Sequence, residues 1–296
     1  MRTPGIDIYK WQGDFDLAKA KSEGFEFVIV KGGGSDCGRY RDVNFVANYV
    51  KAKSLGMPIG VYWYTDAKTV DDAVADADYL YENCLKGRKF ELPIYFDVEG
   101  NMLKLPRRLL TDICHAWCKH LQNLGYYVGI YGGVYTFRDS LYDDELQDYA
   151  HWLAQWSKSP SYSGDSFGMW QYGGETNLIR SNKVAGQVCD QDYMLVDYPA
   201  LIKAAGKNGF GAETQAEKTE EVYTMNMRIL KRGCKGEDVR ALQILLSGRG
   251  YNGNMHRADG IFGPNTEGAV KLFQKAKGLC VDGIAGPLTM RELMGV

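Results

Sequence analysis

The chain has 296 residues, of which 45% are hydrophobic, and a formal net charge of −2 at pH 7. A chain of this length and hydrophobic content can bury a full core and can form more than one domain. No apolar run is long enough to cross a bilayer, and basic and aromatic residues are not interleaved as in nucleic-acid-binding segments. We therefore expect neither a membrane nor a nucleic acid as a partner.

The charge distribution and the cysteines further limit the kinds of site that the chain can contain. Residues 227–296 carry eleven Lys and Arg against six Asp and Glu, a net charge of +5, and the residues before them carry −7. The seven cysteines are scattered and odd in number, which indicates reduced, mostly buried thiols rather than a disulfide framework. Cys114, His115 and Cys118 lie in one predicted amphipathic helix without a second pair of ligands, so we predict no metal and no cofactor.

Strands and helices alternate regularly from the N-terminus. The predicted strands cover residues 6–9, 25–31, 58–64, 92–99, 127–131, 151–156, 168–172 and 187–190. The predicted helices cover residues 15–23, 43–55, 70–86 and 107–124, and each ends at a glycine, as a left-handed C-cap requires. Beyond the fifth strand the helical pattern is lost until residues 196–205, which predict one closing helix.

Eight strands with four βα units predict an α/β fold, a TIM-like parallel β/α barrel with reduced helices in its last third. An open, doubly wound sheet is the alternative. Polar residues at or near the carboxyl ends of the strands would converge on one mouth in a barrel, whereas an open sheet would spread them along an edge, and this favours the barrel. These residues are Asp7, Lys31, Tyr62, Asp97, Glu99, Tyr131, Gln155, Gln171 and Asp190.

The segment 92–100 is apolar until it places two carboxylates two positions apart. Alternate residues of a strand share a face, so Asp97 and Glu99 are predicted to point the same way, with Cα atoms about 7 Å apart. Two acids at this spacing do not titrate independently, and the less solvated one tends to keep its proton near neutral pH, as a general acid must. The alternative is a pair of solvated acids at a strand end.

The chain changes character after residue 206. Residues 207–226 are rich in Gly, Ala, Thr, Glu and Lys, which predicts a linker between a barrel domain, 1–206, and a small all-α helical bundle, 227–296. The bundle contains an internal repeat, because the turn at residues 259–264, Asp-Gly-Ile-Phe-Gly-Pro, recurs at residues 282–287 as Asp-Gly-Ile-Ala-Gly-Pro. Each turn leads into a predicted helix that has Pro in its first turn.

The predicted strand ends resemble, in order, the motifs of glycoside hydrolase family 25, the peptidoglycan muramidases of phage endolysins and bacterial autolysins. The resemblance covers the predicted barrel, and the tail resembles a peptidoglycan-binding type 1 domain through Gly236-Glu237-Asp238-Val239 and its two repeated turns. The barrel motifs are Gly5-Ile6-Asp7-Ile8, Val28-Ile29-Val30-Lys31, Gly60-Val61-Tyr62-Trp63-Tyr64, Pro93-Ile94-Tyr95-Phe96-Asp97-Val98-Glu99, Trp170-Gln171-Tyr172 and Asp190-Gln191-Asp192.

The resemblance implies a lysozyme that cleaves the β-1,4 bond between N-acetylmuramic acid and N-acetylglucosamine in bacterial cell walls. It implies Glu99 as the general acid and Asp97 as the carboxylate that orients and stabilises the acetamido group of the substrate. Asp7 and Asp190 match the two other family carboxylates, but Asp192 shares a strand face with Asp190 and could exchange roles with it. Retaining and inverting outcomes both stay open, because the predicted spacing brackets both.

A sugar site also needs flat apolar faces with polar edges. Among four aromatic residues that could equally be core residues, Tyr62, Tyr131, Trp156 and Trp170, we expect two to contact substrate. Where many members of the family have His-Phe, this chain has Trp63-Tyr64, which changes the polar edge of the aromatic wall. The expected substrate-binding residues are Lys31, Tyr62, Tyr64, Tyr131, Trp156, Gln171 and Asp192.

The resemblance implies peptidoglycan as the partner, with the glycan strand in the barrel and the stem peptide at the C-terminal domain. The first residues show no signal-peptide pattern, so we expect either a phage-type enzyme held in the host cytoplasm before release or export by a non-classical route. Two rivals stay open. A chitinase-like glycosidase or a glucosaminidase is one, although the motif D-x-x-D-x-D-x-E would need acids at Leu92 and Tyr95. A non-catalytic wall-binding protein is the other, although all four family carboxylates are present.

Overall fold

The computed structural model describes residues 2–162, 167–174, 182–211, 229–255 and 257–294. It divides into two compact units, Met1–Glu213 and Thr214–Val296. Over the described residues, no helix combines the length and the hydropathy needed to cross a membrane.

The first unit is a closed eight-stranded barrel with helices on its outer face. The strands are β1 (Thr3–Ile8), β2 (Phe27–Gly34), β3 (Tyr40–Arg41), β4 (Ile59–Tyr64), β5 (Ile94–Asp97), β6 (Val128–Gly133), β7 (Ala150–Ala154), β8 (Phe167–Gly173), β9 (Lys183–Val184), β10 (Gln187–Val188) and β11 (Asp190–Met194). The barrel runs in the order β1-β11-β8-β7-β6-β5-β4-β2 and closes where β2 pairs with β1. β3 extends the sheet beside β2, and β9 and β10 form a separate hairpin.

The helices lie close to their predicted positions. They are α1 (Leu17–Ser22), α2 (Phe45–Ser54), α3 (Val70–Leu80), α4 (Arg107–Asn123) and α5 (Tyr198–Ala204), and α3 continues into a π-helical turn, Tyr81–Leu85. The predicted glycine C-caps are confirmed, since Gly24 and Gly125 follow α1 and α4 with φ of 97° and 91°. A residue with a Cβ would be strained in that conformation.

The prediction of an all-parallel barrel is wrong at the last strand. Residues 187–190 were predicted as the eighth strand, but Gln187–Val188 pairs with Lys183–Val184 in the hairpin, and β11 begins only at Asp190. β11 is antiparallel to both of its neighbours, β1 and β8, and places Asp190 opposite Asp7. An antiparallel neighbour needs only a short connection, whereas a parallel one needs a crossover, usually helical. The sequence before residue 187 has no helical pattern that could supply one.

The barrel lumen is apolar at its base and polar at its mouth. Side chains of alternate strand residues point inward, and on three of the strands an apolar residue lies two positions before a polar one. The outward-facing residues pack against the helices in a second apolar layer. The inward series are Phe27, Ile29 and Lys31 on β2, Tyr95 and Asp97 on β5, and Met169 and Gln171 on β8.

Asn208 closes the base of the barrel. Its side chain is fully buried, donates to the carbonyl of Leu92 at 2.8 Å and accepts from the backbone N–H of Tyr127 at 2.7 Å. Its backbone N–H donates to Gly125, and its carbonyl accepts from Phe90. Residues 207–211 therefore belong to the barrel unit, although the sequence predicts them as linker. The rest of the predicted linker, up to residue 226, lies outside the described residues.

Replacing Asn208 with Ala is expected to destabilise the barrel by about 2–4 kcal/mol. The change leaves two buried backbone groups without partners and puts a Cβ-bearing residue without a local hydrogen bond at φ 54°. Urea unfolding of the full chain, followed by the barrel transition, measures the loss. Asn208→Asp keeps the acceptor for Tyr127 but buries an acid against the Leu92 carbonyl, so its loss of stability should grow as pH rises and the carboxyl group ionises. Equal stability of all three proteins would show that this contact contributes nothing.

In the described part of the chain the second unit is a bundle of three helices, and the predicted all-α bundle is confirmed. Its helices are α6 (Glu237–Gly248), α7 (Pro264–Ala276) and α8 (Pro287–Met294). The predicted apolar faces meet in its core, which includes Val239, Leu242, Leu246, Val270 and Phe273.

Each copy of the internal repeat in the second unit has the same set of hydrogen bonds around a glutamine side chain. The Gln243 amide donates to Asp259 Oδ1 and Thr266 Oγ1, each at 2.9 Å, and accepts from the N–H of Gly260. One repeat later, Gln274 makes the same bonds with Asp282, Thr289 and Gly283. Each set of hydrogen bonds connects a glycine-rich turn to the helix before it and to the helix after it.

Candidate active site

A cavity of about 200 Å³ opens at the mouth of the barrel. The carboxyl ends of the parallel strands meet here, and this end of a β/α barrel is where catalytic groups are usually found. The lining residues are Asp7, Tyr9, Lys31, Tyr62, Tyr64, Asp97, Glu99, Tyr131, Trp152, Gln171 and Asp190.

Asp97 and Glu99 face the same cavity, as the strand alternation predicts. β5 ends at Asp97, but Glu99 keeps an extended backbone, with φ −147° and ψ −175°, so the alternation continues past the last paired residue. Asp97 is buried, whereas Glu99 is exposed at the mouth. One oxygen of Asp97, Oδ1, is buried and accepts no hydrogen bond from the part of the chain that the structure describes. Asp97 as a residue still lines the cavity, where its carboxyl group can meet a donor from a ligand.

Burial raises the pKa of both carboxyl groups. The pKa of Asp97 lies well above its usual range, first because the group is desolvated and then because Glu99 is close, while Lys31 opposes the shift. The pKa of Glu99 is also raised by partial desolvation and lowered by Lys31. A like-charged pair of this kind holds a proton more firmly than either acid would alone.

Lys31 lies among aromatic rings at one wall of the cavity. Its Nζ is 4.6 Å from the centroid of the Tyr64 ring and between 5.6 and 5.9 Å from those of Tyr9, Tyr62 and Tyr40. Burial lowers the pKa of Lys31, and the charge of Asp97 counters that effect. A desolvated ammonium over ring faces is held by cation–π attraction and supplies a positive charge beside the carboxylates.

The side-chain amide of Gln171, on the wall opposite Lys31, is hydrogen-bonded to three other side chains. The amide donates to Asp7 Oδ2 at 2.8 Å and accepts from Tyr131 OH and Trp156 Nε1, each at 3.1 Å. These bonds fix the amide orientation, because its oxygen faces two donors and its nitrogen faces a carboxylate. Trp156 is 37% exposed and lies at the rim rather than in the lining.

Asp190 and Asp192 share a strand face but differ in depth. Asp190 lines the cavity, and a Cβ on Gly174 would come within 2.0 Å of its Oδ1, so a side chain there would displace the Asp190 carboxyl group. Asp192 is fully buried beneath the lining and accepts from Trp152 Nε1 at 2.8 Å. Asp7 lies close to both, and burial followed by their charges raises its pKa well above the usual range.

All but two of the predicted site residues line the cavity. The two exceptions are Trp156, at the rim, and Asp192, below the floor. Trp170 faces outward, where Arg2 lies over its ring. The prediction missed Tyr9 and Trp152. Tyr9 follows Asp7 by two positions and could have been found from strand alternation, whereas Trp152 required the register of β7.

Two family models match the chain. Residues 6–179 match the family described as Glycosyl hydrolases family 25. Residues 235–293 match the family described as "Putative peptidoglycan binding domain". The first match covers the cavity-lining residues up to Gln171, and the second covers the three-helix bundle.

Several individual proteins are similar to this chain over most of its length. An autolytic lysozyme of Clostridium acetobutylicum is 28% identical over 282 residues, which cover 94% of this chain and 74% of that protein. A protein of Bacillus licheniformis named "Probable N-acetylmuramoyl-L-alanine amidase" is 37% identical over 272 residues, covering 85% and 73%. The crystal structure of a bacterial lysozyme from Streptomyces coelicolor has the same fold, with a TM-score of 0.57 and 22% identity over 71% of this chain and 99% of that one.

Proposed function

Because the chain belongs to glycosyl hydrolases family 25, we propose that it is an N-acetylmuramidase, a lysozyme that hydrolyses the β-1,4 bond between N-acetylmuramic acid and N-acetylglucosamine in peptidoglycan. The observation that carries the proposal is the pairing of Asp97 and Glu99 in one cavity, where desolvation raises the pKa of both acids.

Glu99 is the proton donor of the proposed reaction. It lies at the open mouth, where the glycosidic oxygen of a bound strand can reach it, and its raised pKa favours the protonated form. Protonation of that oxygen lets the sugar bond break while positive charge develops at the anomeric carbon. Asp97, which lines the cavity, accepts the N–H of the substrate's acetamido group and holds that group beside the anomeric carbon, as substrate-assisted glycosidases do.

Substrate binding also decides which acid carries the proton. In the free site, desolvation raises the pKa of both acids, so the proton is shared within the pair. A hydrogen bond from the acetamido N–H favours the ionised form of Asp97, because donors stabilise a carboxylate. The ionised Asp97 in turn raises the pKa of its neighbour, so the bound substrate leaves the proton on Glu99, where the reaction needs it.

Mass spectrometry of the fragments released from purified peptidoglycan tests the activity. Reducing ends on muramic acid are expected. Reducing ends on glucosamine would indicate a glucosaminidase, and free stem peptides beside intact glycan strands would indicate the amidase activity for which the Bacillus licheniformis relative is named. Release of no fragments would indicate a wall-binding protein without catalysis.

Replacing Lys31 with Met is expected to move the whole pH–rate profile to higher pH. The Lys31 charge lowers the pKa of both Asp97 and Glu99, so its loss raises both. The acid limb, where Asp97 must lose its proton, and the alkaline limb, where Glu99 must keep its proton, then shift in the same direction. Profiles of kcat/KM on soluble glycan chains measure the shift. Lys31→Arg keeps the charge and should leave both limbs near their wild-type positions; an unshifted Lys31→Met profile would contradict the coupling.

The C-terminal unit is proposed to hold the enzyme on the wall by binding the stem peptide. Its match to a peptidoglycan-binding family and its net charge of +5 over residues 227–296 support an anionic wall ligand. A tethered binding unit raises the effective concentration of the barrel at its substrate without changing the chemistry.

A variant that ends after Gly211 is expected to keep its rate on soluble glycan chains and to lose about tenfold or more on intact walls. The cut leaves the Asn208 contacts in place, so the barrel should remain closed. In turbidity assays, the difference in wall lysis between the truncated and the full-length protein should become smaller as salt is added. Salt screens the attraction of the basic unit to the wall. Equal wall lysis by both proteins at low salt would rule out the anchoring role.

A further inference from the structure

Trp11 has the most exposed side chain among the large hydrophobic residues that the structure describes, at 75%. A single exposed hydrophobic residue is ordinary and needs no explanation by itself. Trp11, however, lies in a 3-10 turn, Lys10–Gln12, that follows β1 directly at the mouth of the barrel. The residue before the turn, Tyr9, lines the cavity.

The backbone of the turn that contains Trp11 is fixed by hydrogen bonds within the turn and to neighbouring segments. The Gln12 side chain accepts from the backbone N–H of Tyr9 at 3.0 Å and donates toward β10. The backbone N–H of Lys10 donates to Asp42 at 3.0 Å, and Asp42 is only 1% exposed. A fixed backbone that presents a large flat ring to water matches what a binding surface needs, because little freedom is lost when a ligand binds.

A continuous strip of rings and ammonium groups joins the cavity to Trp11. Lys31, in the cavity wall, lies 5.9 Å from the centroid of the Tyr40 ring. Lys10 lies 5.9 Å from the same ring and 5.5 Å from that of Trp11. Flat apolar faces edged with hydrogen-bond donors are suited to pyranose rings, which have apolar faces and polar rims.

The cavity is too small for a glycan strand. Its volume of about 200 Å³ is below the range of about 300–1,000 Å³ that encloses a drug-sized ligand, so a polymer bound there must continue across the surface outside. The strip that ends at Trp11 offers such a path, because it starts at the cavity wall.

We propose that Trp11 and Lys10 form an outer subsite that binds an N-acetylhexosamine ring of the glycan strand whose scissile bond lies in the cavity. This inference rests on the proposed muramidase function and extends it to the length of substrate that the enzyme recognises. The Trp11 ring stacks on the apolar face of the sugar, and the Lys10 ammonium donates to its ring substituents.

The first test compares the full-length wild type and Trp11→Ala on peptide-free glycan chains of increasing length. For long chains we expect KM to rise about tenfold with kcat unchanged, the size of effect that loss of an aromatic anchor produces. For the shortest chain that the wild type cleaves, both constants should stay at wild-type values. The same KM change at every length, or none, would overturn the proposal.

Two control variants separate stacking from general surface effects. Trp11→Phe keeps a flat ring and should recover most of the affinity for long chains. Tyr135→Ala removes another exposed aromatic, 69% exposed, which is not part of the strip formed by Lys31, Tyr40, Lys10 and Trp11, and it should change nothing. Equal losses in Trp11→Ala and Tyr135→Ala would contradict a specific subsite. Thermal melting of each variant checks that the barrel is intact.

A binding measurement keeps the test independent of catalysis. Calorimetric titration of long glycan chains into Glu99→Gln, and into the double variant with Trp11→Ala, measures affinity without turnover. About tenfold weaker binding by the double variant supports the subsite even if the wild type cleaves none of the chains, an outcome that would reject the muramidase function alone. Equal affinities would overturn the subsite, whatever the wild type cleaves.

Discussion

Replacing Glu99 with Gln is expected to lower wall lysis by about 100-fold or more, the usual effect of removing a general acid. The amide keeps the size of the side chain and its hydrogen-bonding capacity, so the change removes only the transferable proton. Because Glu99 is exposed at the mouth and makes none of the core contacts of the barrel, the fold should not change. Initial rates of turbidity loss measure the effect, and circular dichroism checks the fold.

Glu82→Gln is the matched control for this prediction. Glu82 lies in the π-helical turn after α3 and, among the residues that the structure describes, pairs only with Lys86, four residues later, so its loss should leave lysis unchanged. If folded Glu99→Gln cleared walls at the rate of Glu82→Gln, another group would have to supply the proton.

Replacing Asp97 with Asn is expected to reduce the rate by about 100- to 1,000-fold, because an amide cannot balance the positive charge that develops beside the anomeric carbon. The amide can also turn its NH₂ group toward the substrate's acetamido N–H, which would set donor against donor. Single-turnover rates on soluble glycan chains separate this loss from any change in wall binding. The pH–rate profile should also lose its acid limb, since that limb reports the ionisation of Asp97.

Asp192→Asn is the control for Asp97. Asp192 is buried below the cavity, and an Asn oxygen can still accept from Trp152 Nε1, so most of the activity should remain. An active Asp97→Asn together with an inactive Asp190→Asn would show that Asp190 is the supporting carboxylate. An inactive Asp192→Asn that folds normally would assign a direct role to the deeper acid.

The sequence predicted the site well where strand periodicity governs side-chain direction. Asp97 and Glu99 share a face because the chain stays extended for two residues after β5 ends. Along β2 and β8 the same alternation brought Lys31 and Gln171 to the mouth. Periodicity needs no knowledge of distant partners, which is why it could be used from one sequence.

The prediction was wrong where the structure depends on contacts between segments that are far apart in the sequence. Asp190 was expected at the mouth as the end of a parallel strand, but it lies there as the start of an antiparallel one. Local pattern does not encode strand direction, so the right position followed from the wrong topology. Asn208 was likewise assigned to a linker, because a lone Asn in a glycine-rich run gives no sign that it will be buried against residues 90–127.

Closure of the barrel by β11 has a consequence for how the protein is made. β1 leaves the ribosome before the other barrel strands and its partner β11 leaves after them, with Thr3 finally opposite Met194. Until residue 194 has emerged, one edge of β1 and one edge of β8 remain open on the nascent chain, and open edges invite pairing with other chains. The yield of active enzyme should therefore depend on how quickly the final strand is translated.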